Sequence, residues 1–174
     1  MIYGPAEDSY LISKYIKNYS RNKKILDMGT GSGILAREAL KYTKKVTVSD
    51  INEECLKNLK RIRTIKSDLF ENIKGRYDLV IFNPPYLPRD KKEDDESALS
   101  TSGGEKGYEV LERFIRELRH HLNRNGKALI VFSSLTKKRK VNSILKKNNF
   151  RYELLEEKKI PFFETLYCYL IYLS

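Results

Sequence analysis

Cysteine and histidine are scarce in this 174-residue sequence, with two of each: Cys55, Cys168, His120 and His121. No C-x-x-C pair and no Cys/His cluster exists, so neither a disulfide framework nor a zinc site is indicated. The cysteines read as small core residues. The adjacent histidines fall near a predicted helix end, where imidazole beside the last carbonyls is unremarkable. No stretch approaches the roughly 18 consecutive apolar residues of a membrane span. The opening Met1-Ile2-Tyr3-Gly4-Pro5 lacks the basic segment and apolar run of a signal peptide. Acids are also in deficit, 23 against 34 Lys plus Arg, for a net charge of +11. These absences lead us to expect a soluble cytoplasmic protein with no metal. The positive surplus suits a phosphate-rich partner such as RNA or a ribosome-associated protein, and equally a lysine-rich composition with no such contact.

The length suits one α/β domain over 1–174, with no linker or internal repeat. Pro5-Ala6-Glu7-Asp8 followed by Leu11, Ile12, Tyr15, Ile16 and Tyr19 predicts an amphipathic helix with acids in its first turn. Short strands are expected at 24–27, at 46–49 ending on Asp50, and around Thr64-Ile65 before Ser67-Asp68. Tyr77 to Phe82 reads as a central parallel strand covered on both faces. Helices are expected from Ile34 to Tyr42, after Asn52 with Cys55, Leu56 and Leu59 inward, through Val110 to Leu122 and around Val141, Ile144 and Leu145. Asn125-Gly126 is expected to stop the third of these, ahead of a strand from Ala128 to Phe132. The end, 152–156 and 166–173 around Pro161, suggests two strands joined by a hairpin-like turn. Alternating strands and helices imply a doubly wound, mostly parallel sheet with an antiparallel last strand. The one obvious loop, Pro88 to Ser102, is dense in mixed charge; a lid, a docking surface and a solvated loop all fit it.

The turn after the first strand, Asp27-Met28-Gly29-Thr30-Gly31-Ser32-Gly33, lets the backbone pass close to a ligand. Its spacing is not the dinucleotide fingerprint, because Ile34 stands where a third glycine would be needed. An acid sits two residues before the first glycine. It would repel a pyrophosphate and attract the ammonium group of a methionine moiety. Asp50 is placed for ribose hydroxyls, Asp68 for an adenine amino group and the Leu69 backbone for the ring. Asn83-Pro84-Pro85-Tyr86 follows the fourth strand on the same edge. The Asn83 oxygen and the Pro84 carbonyl can each accept one hydrogen of a planar NH₂ group, which favours pyramidal character as the nitrogen attacks. The paired prolines stiffen this stretch, and Tyr86 offers an aromatic face. A methyl group on a positively charged sulfonium needs in-line alignment more than a strong base, in keeping with the absence of a visible His, Ser or Cys catalytic set.

On these motifs the sequence resembles the class I S-adenosylmethionine-dependent methyltransferases, and more closely the HemK/PrmC glutamine methyltransferases. Tyr3 to Ser9 is similar to the Y-x-P-A-E-D-[ST] opening of their archaeal and eukaryotic branch, and Gly103-Gly104-Glu105-Lys106-Gly107 to its G-G-x-x-G segment. The resemblance implies a Rossmann-like seven-stranded sheet and S-adenosyl-L-methionine as co-substrate. Ser9, Asp27, Gly29, Gly31, Asp50, Asp68, Leu69 and Asn83 would contact it, and Asn83 to Tyr86 would clamp the acceptor. It implies the Gln of the Gly-Gly-Gln loop of a class I release factor as acceptor, hence a role in translation termination. It also implies a small, often zinc-binding, activator subunit beside the third strand and no separate substrate-recognition domain. The short basic strand Arg63-Thr64-Ile65-Lys66 suits such strand addition, and its charge also suits a self-protecting edge. Two alternatives share the motifs: an N6-adenine or N2-guanine nucleic-acid methyltransferase, which would have to extrude a base, and a catalytically silent binding scaffold.

Overall fold

A computed structural model describes residues 7–59, 61–87, 101–161 and 163–174. The strands are β1 (Ile25–Met28), β2 (Val46–Asp50), β3 (Arg63–Lys66), β4 (Tyr77–Phe82), β5 (Leu122–Ser133), β6 (Phe150–Ile160) and β7 (Glu164–Leu173). Helices α1 (Glu7–Ser20), α2 (Ile34–Ala39), α3 (Glu53–Lys57), α4 (Glu109–His121) and α5 (Lys138–Lys147) connect or flank them. The seven strands lie in the order β3-β2-β1-β4-β5-β7-β6. β7 runs antiparallel to both its neighbours, while β3, β2, β1, β4 and β5 pair in parallel. This is the seven-stranded, mostly parallel α/β sheet expected, with the order reversing between β1 and β4.

Alternation of side chains across each strand divides the core in two. Leu26, Met28, Val80 and Phe82 face α4 and α5, meeting Leu111, Phe114, Leu118, Val141 and Leu145. Ile25, Val48, Leu79 and Ile81 face α1 and α2, meeting Leu11, Ile12, Ile16 and Ala36. Most of these side chains are fully buried, and each buried Leu, Ile or Phe contributes roughly 1.5–3 kcal/mol. The Asn52 side chain caps α3 by accepting from the Glu54 N–H at 3.0 Å, as its sequence position predicts.

The helix before β5 ends earlier than its spacing suggests. It stops at His121, and β5 already begins at Leu122, so Asn125-Gly126 is not the helix stop. Leu122 is fully buried and pairs with Tyr77, and its carbonyl accepts from the Arg76 guanidinium at 2.9 Å. Asn125-Gly126 instead occupies the register shift between the Tyr77 and Leu79 pairings. Gly126 fits there because a Cβ would come 2.9 Å from both the Asn123 nitrogen and the Tyr77 carbonyl oxygen. The second helix likewise closes at Ala39 rather than Tyr42, and the last two strands run longer than their sequence cores.

Candidate active site

Four strands deliver functional residues to one edge of the sheet. Met28 is in register with Ser49 and Phe82, and Asp50 with Lys66, so the turns after β1, β2, β3 and β4 emerge side by side. The expected acids and the Asn-Pro-Pro-Tyr motif are thereby brought to one edge of the sheet at its switch point, where ligands of open α/β folds bind.

Asp27 is fully buried. Its Oδ2 accepts from the Thr30 hydroxyl at 2.6 Å and the Ala36 N–H at 3.1 Å. Its Oδ1 is buried with no hydrogen-bond partner among the described residues. Burial pushes this carboxyl up to about 7, although the Thr30 and Ala36 bonds act the other way and Asp50 adds a like charge. A buried acceptor without a partner is costly, and an ammonium group would relieve both the desolvation and the unmet bond. The donor set therefore fits the amino-acid end of S-adenosylmethionine.

The glycine turn is tied to β2. Gly31, at φ 51°, turns its N–H onto Asp50 Oδ2 at 2.9 Å, and the Thr30 N–H bonds the Ser49 carbonyl at 3.0 Å. Asp50 Oδ1 accepts from the Asn52 N–H at 2.8 Å, so its carboxylate is held from two sides. After β3, the Ser67 hydroxyl donates to the Leu69 carbonyl at 2.8 Å and accepts from the Asn72 N–H at 3.0 Å. That brace holds Leu69 at φ 46°, a left-handed conformation unusual for a leucine. Asp68 is not idle: its Oδ2 pairs with Arg113 of α4 at 2.9 Å.

The Asn83–Tyr86 motif is held by α1. Asn83 Nδ2 donates to Ser9 Oγ at 3.2 Å, and the Tyr86 hydroxyl donates to Asp8 Oδ2 at 2.9 Å. Committing Nδ2 to Ser9 leaves Oδ1 as the free acceptor of the Asn83 amide; it is buried and has no hydrogen-bond partner among the described residues. The Tyr86 carbonyl accepts from the Thr136 hydroxyl at 3.3 Å. A cavity of about 300 Å³ opens beside the motif, bordered by Asp8, Asn83, Pro84, Tyr86, Ile160 and Glu164. None of Asp27, Gly29, Asp50 or Asp68 lines it, so the cavity lies at the motif and not at the acids.

Gly103 closes the motif from behind. Its N–H bonds the Leu87 carbonyl at 2.8 Å, its carbonyl takes the Val110 N–H at 3.1 Å, and Leu87 N–H reaches Thr101. A Cβ on Gly103 would lie 2.4 Å from the Gly107 oxygen and 2.8 Å from the Pro85 oxygen. The glycine segment therefore supports the motif backbone, a role that its spacing alone does not reveal. Ser9, expected at the co-substrate, also accepts the Asn83 amide N–H. Tyr3 to Ala6 of the opening motif and residues 88–100 of the charged loop lie outside the described residues. Among the described residues, no group of three or more His, Cys, Asp and Glu could hold a metal ion, and no helix is long and apolar enough to cross a membrane.

A family model, the methyltransferase small domain, matches residues 8–160. A Methanocaldococcus jannaschii protein named "Putative protein N5-glutamine methyltransferase" is 38% identical, over 95% of this chain and 89% of its own length. A release factor glutamine methyltransferase of Streptococcus pneumoniae is 31% identical over 64% of this chain, which spans 46% of that protein. Ribosomal RNA small subunit methyltransferase C of Actinobacillus pleuropneumoniae is 28% identical over 70% of this chain and 36% of its own length. Among solved structures, the E. cuniculi Mtq2-Trm112 complex, described as responsible for methylation of the eRF1 translation termination factor, superposes with a TM-score of 0.83. That match has 26% identity and covers 99% of this chain and 98% of that one. With the sheet order and with the three strand-end acids and the Asn-Pro-Pro-Tyr turn at one sheet edge, these matches place the chain in the methyltransferase small-domain family, as an α/β enzyme of the class I methyltransferase fold.

Proposed function

We propose that this chain transfers a methyl group from S-adenosylmethionine to the side-chain nitrogen of the glutamine in a Gly-Gly-Gln loop of a class I release factor. The observation that carries the reading is the Asn83 amide: Ser9 takes its N–H, and its buried Oδ1 is left to accept. An acceptor oxygen fixed in this way selects a nitrogen that has a hydrogen to give. With the Pro84 carbonyl beside it, the pair suits an NH₂ group whose lone pair must leave conjugation before it can attack. The similarity to proteins named for glutamine N5 methylation favours an amide over a nucleobase.

Asp27, Gly29, Gly31, Asp50, Asp68 and Leu69 would hold the co-substrate, which supplies an electrophilic methyl on its sulfonium. Asp27 would meet the ammonium group, Asp50 the ribose hydroxyls, and the Asp68-Leu69 turn the adenine. Tyr86 would present a flat face to the acceptor amide, and the two prolines keep this backbone ordered before substrate arrives. The residues orient the reactants: as the N–CH₃ bond forms, the S–CH₃ bond breaks to leave S-adenosylhomocysteine. The proton that the nitrogen sheds passes by way of the accepting oxygens of Asn83 and Pro84 to water, so alignment matters more than a strong base.

A second subunit fits the free sheet edge. β3 pairs only with β2 among the described residues, and Arg63, Thr64 and Lys66 are exposed. Ile51, directly after β2, is 43% exposed. We place the small activator subunit, often zinc-binding in the branch that the sequence resembles, at this edge, adding one strand. The E. cuniculi neighbour, a two-protein complex, supports a partnered enzyme. The test is to incubate the chain, alone and with such a subunit, with S-adenosylmethionine and either release factor or nucleic acid. The reading predicts one added methyl on the Gly-Gly-Gln peptide. Modified nucleosides with an untouched peptide would sink it, and cofactor binding without any transfer would favour a scaffold.

A further inference from the structure

Resting on the reading of the cavity as the acceptor site, we infer that Asp8 is a positioning residue: its carboxylate fixes the ring of Tyr86 against the acceptor. Asp8 is 2% exposed although it sits in the first turn of a surface helix. Both of its oxygens are engaged. Oδ1 accepts from the Ser9 N–H at 2.6 Å and Oδ2 from the Tyr86 hydroxyl at 2.9 Å. A carboxylate held at both oxygens cannot rotate, so the phenol that it receives is held in one orientation. The next residue performs the matching task, since Ser9 Oγ receives Asn83 Nδ2.

One turn of helix therefore grips both ends of the Asn83–Tyr86 motif, which lies more than 70 residues away in sequence. The grip is firm because α1 is anchored by Leu11, Ile12 and Ile16, all fully buried. Asp8 and Tyr86 both line the acceptor cavity, so a shift of either alters its wall. A role confined to starting the helix would not need a carboxylate that reaches across the chain to a phenol. The two roles separate in one respect. A helix-start role acts on stability independently of Tyr86, whereas positioning acts through Tyr86 and disappears when its hydroxyl is removed.

The experiment is a double-mutant cycle on the full chain with its activator subunit, comparing Asp8→Ala, Tyr86→Phe and the double variant. It is read in kcat and KM for a Gly-Gly-Gln peptide and in S-adenosylhomocysteine affinity by calorimetry. We expect each single variant to lose about tenfold in kcat, the double variant to lose no more than either, and the affinity for S-adenosylhomocysteine to stay within about twofold. Asp8→Asn keeps one acceptor oxygen and should restore part of the loss. Losses that multiply in the double variant, or a drop in S-adenosylhomocysteine affinity matching the drop in kcat, would overturn the proposal. If Asp8→Ala does not fold, Asp8→Asn takes its place in the cycle. The ring signals of ¹³C-labelled Tyr86, identified by their loss in Tyr86→Phe, give a readout free of substrate. They should move in Asp8→Ala and move less in Asp8→Asn; unmoved signals would refute the proposal. Wild-type protein that never methylates the peptide refutes the substrate reading instead, and the ring signals then decide the positioning role.

Discussion

The strand-end acids proposed to hold the co-substrate and the cavity proposed to take the acceptor lie at the same sheet edge, yet they are built by different means. The acids are held mostly near their strand ends: Asp27 by the Thr30 hydroxyl and the Ala36 N–H, and Asp50 by the N–H groups of Gly31 and Asn52, while Asp68 is the exception through its pair with Arg113 of α4. The cavity is assembled from distant pieces. Its Asn83–Tyr86 turn is held by α1, by Thr136 beyond β5 and by Gly103. Binding of the co-substrate should therefore depend on few residues near each strand end, and acceptor chemistry on contacts scattered through the chain.

That contrast can be broken by substitutions that strike one side only. The largest effect should come from Asn83→Ala, which removes the acceptor oxygen and should lower kcat by about 100-fold or more while leaving co-substrate affinity nearly intact. Equal losses in both would make Asn83 chiefly a co-substrate ligand. Asp27→Asn should do the reverse, weakening S-adenosylmethionine binding by roughly 10- to 100-fold, the worth of a charge-assisted bond. Calorimetry measures it.

The protonation of Asp27 adds a pH signature. Its folded-state value of about 7 lies above the ordinary 3.8, so the folded protein without ligand holds a proton that the unfolded chain has lost between those values. This group's contribution to stability thus rises as pH falls from above 7 toward 4. An ammonium ligand favours the ionised form, so affinity for S-adenosylmethionine should rise as pH increases through about 7, with proton release on binding. Asp27→Asn should flatten both dependences, in melting temperature and in affinity.

Gly103→Ala should lower kcat and also cost about 1–3 kcal/mol of stability, because the new methyl meets backbone at Gly107 and Pro85. Co-substrate affinity should be retained, checked by the same titration. The smallest effect should come from Arg113→Ala. The Arg113–Asp68 pair is partly solvent-exposed on both sides, so its loss should change co-substrate affinity by no more than about threefold. A larger change would mean that α4 sets the adenine side of the co-substrate site.

The same contrast explains what the sequence made legible. Strand ends followed by acids and glycines carry their own signature, since the chemistry and the local backbone share a few consecutive residues. The doubly wound order followed from alternating elements, and the cap at Asn52 was visible for the same reason. The grip of Asp8 on Tyr86 and of Gly103 on Pro85 spans distances that no periodicity encodes. The opening E-D-S segment was visible as a motif, but its task was not, because that task exists only once α1 lies across the end of β4. The misplaced helix stop at Asn125-Gly126 has a related cause. Burial of Leu122 and its pairing with Tyr77 outweigh a local stop signal.

The most direct test of the account is mass spectrometry of a Gly-Gly-Gln peptide from a class I release factor after incubation with the partnered enzyme and S-adenosylmethionine. A single added methyl on the glutamine side chain is expected, lost in Asn83→Ala protein that still binds co-substrate. An unmodified glutamine, with the methyl found on a nucleobase or on no acceptor at all, would contradict it.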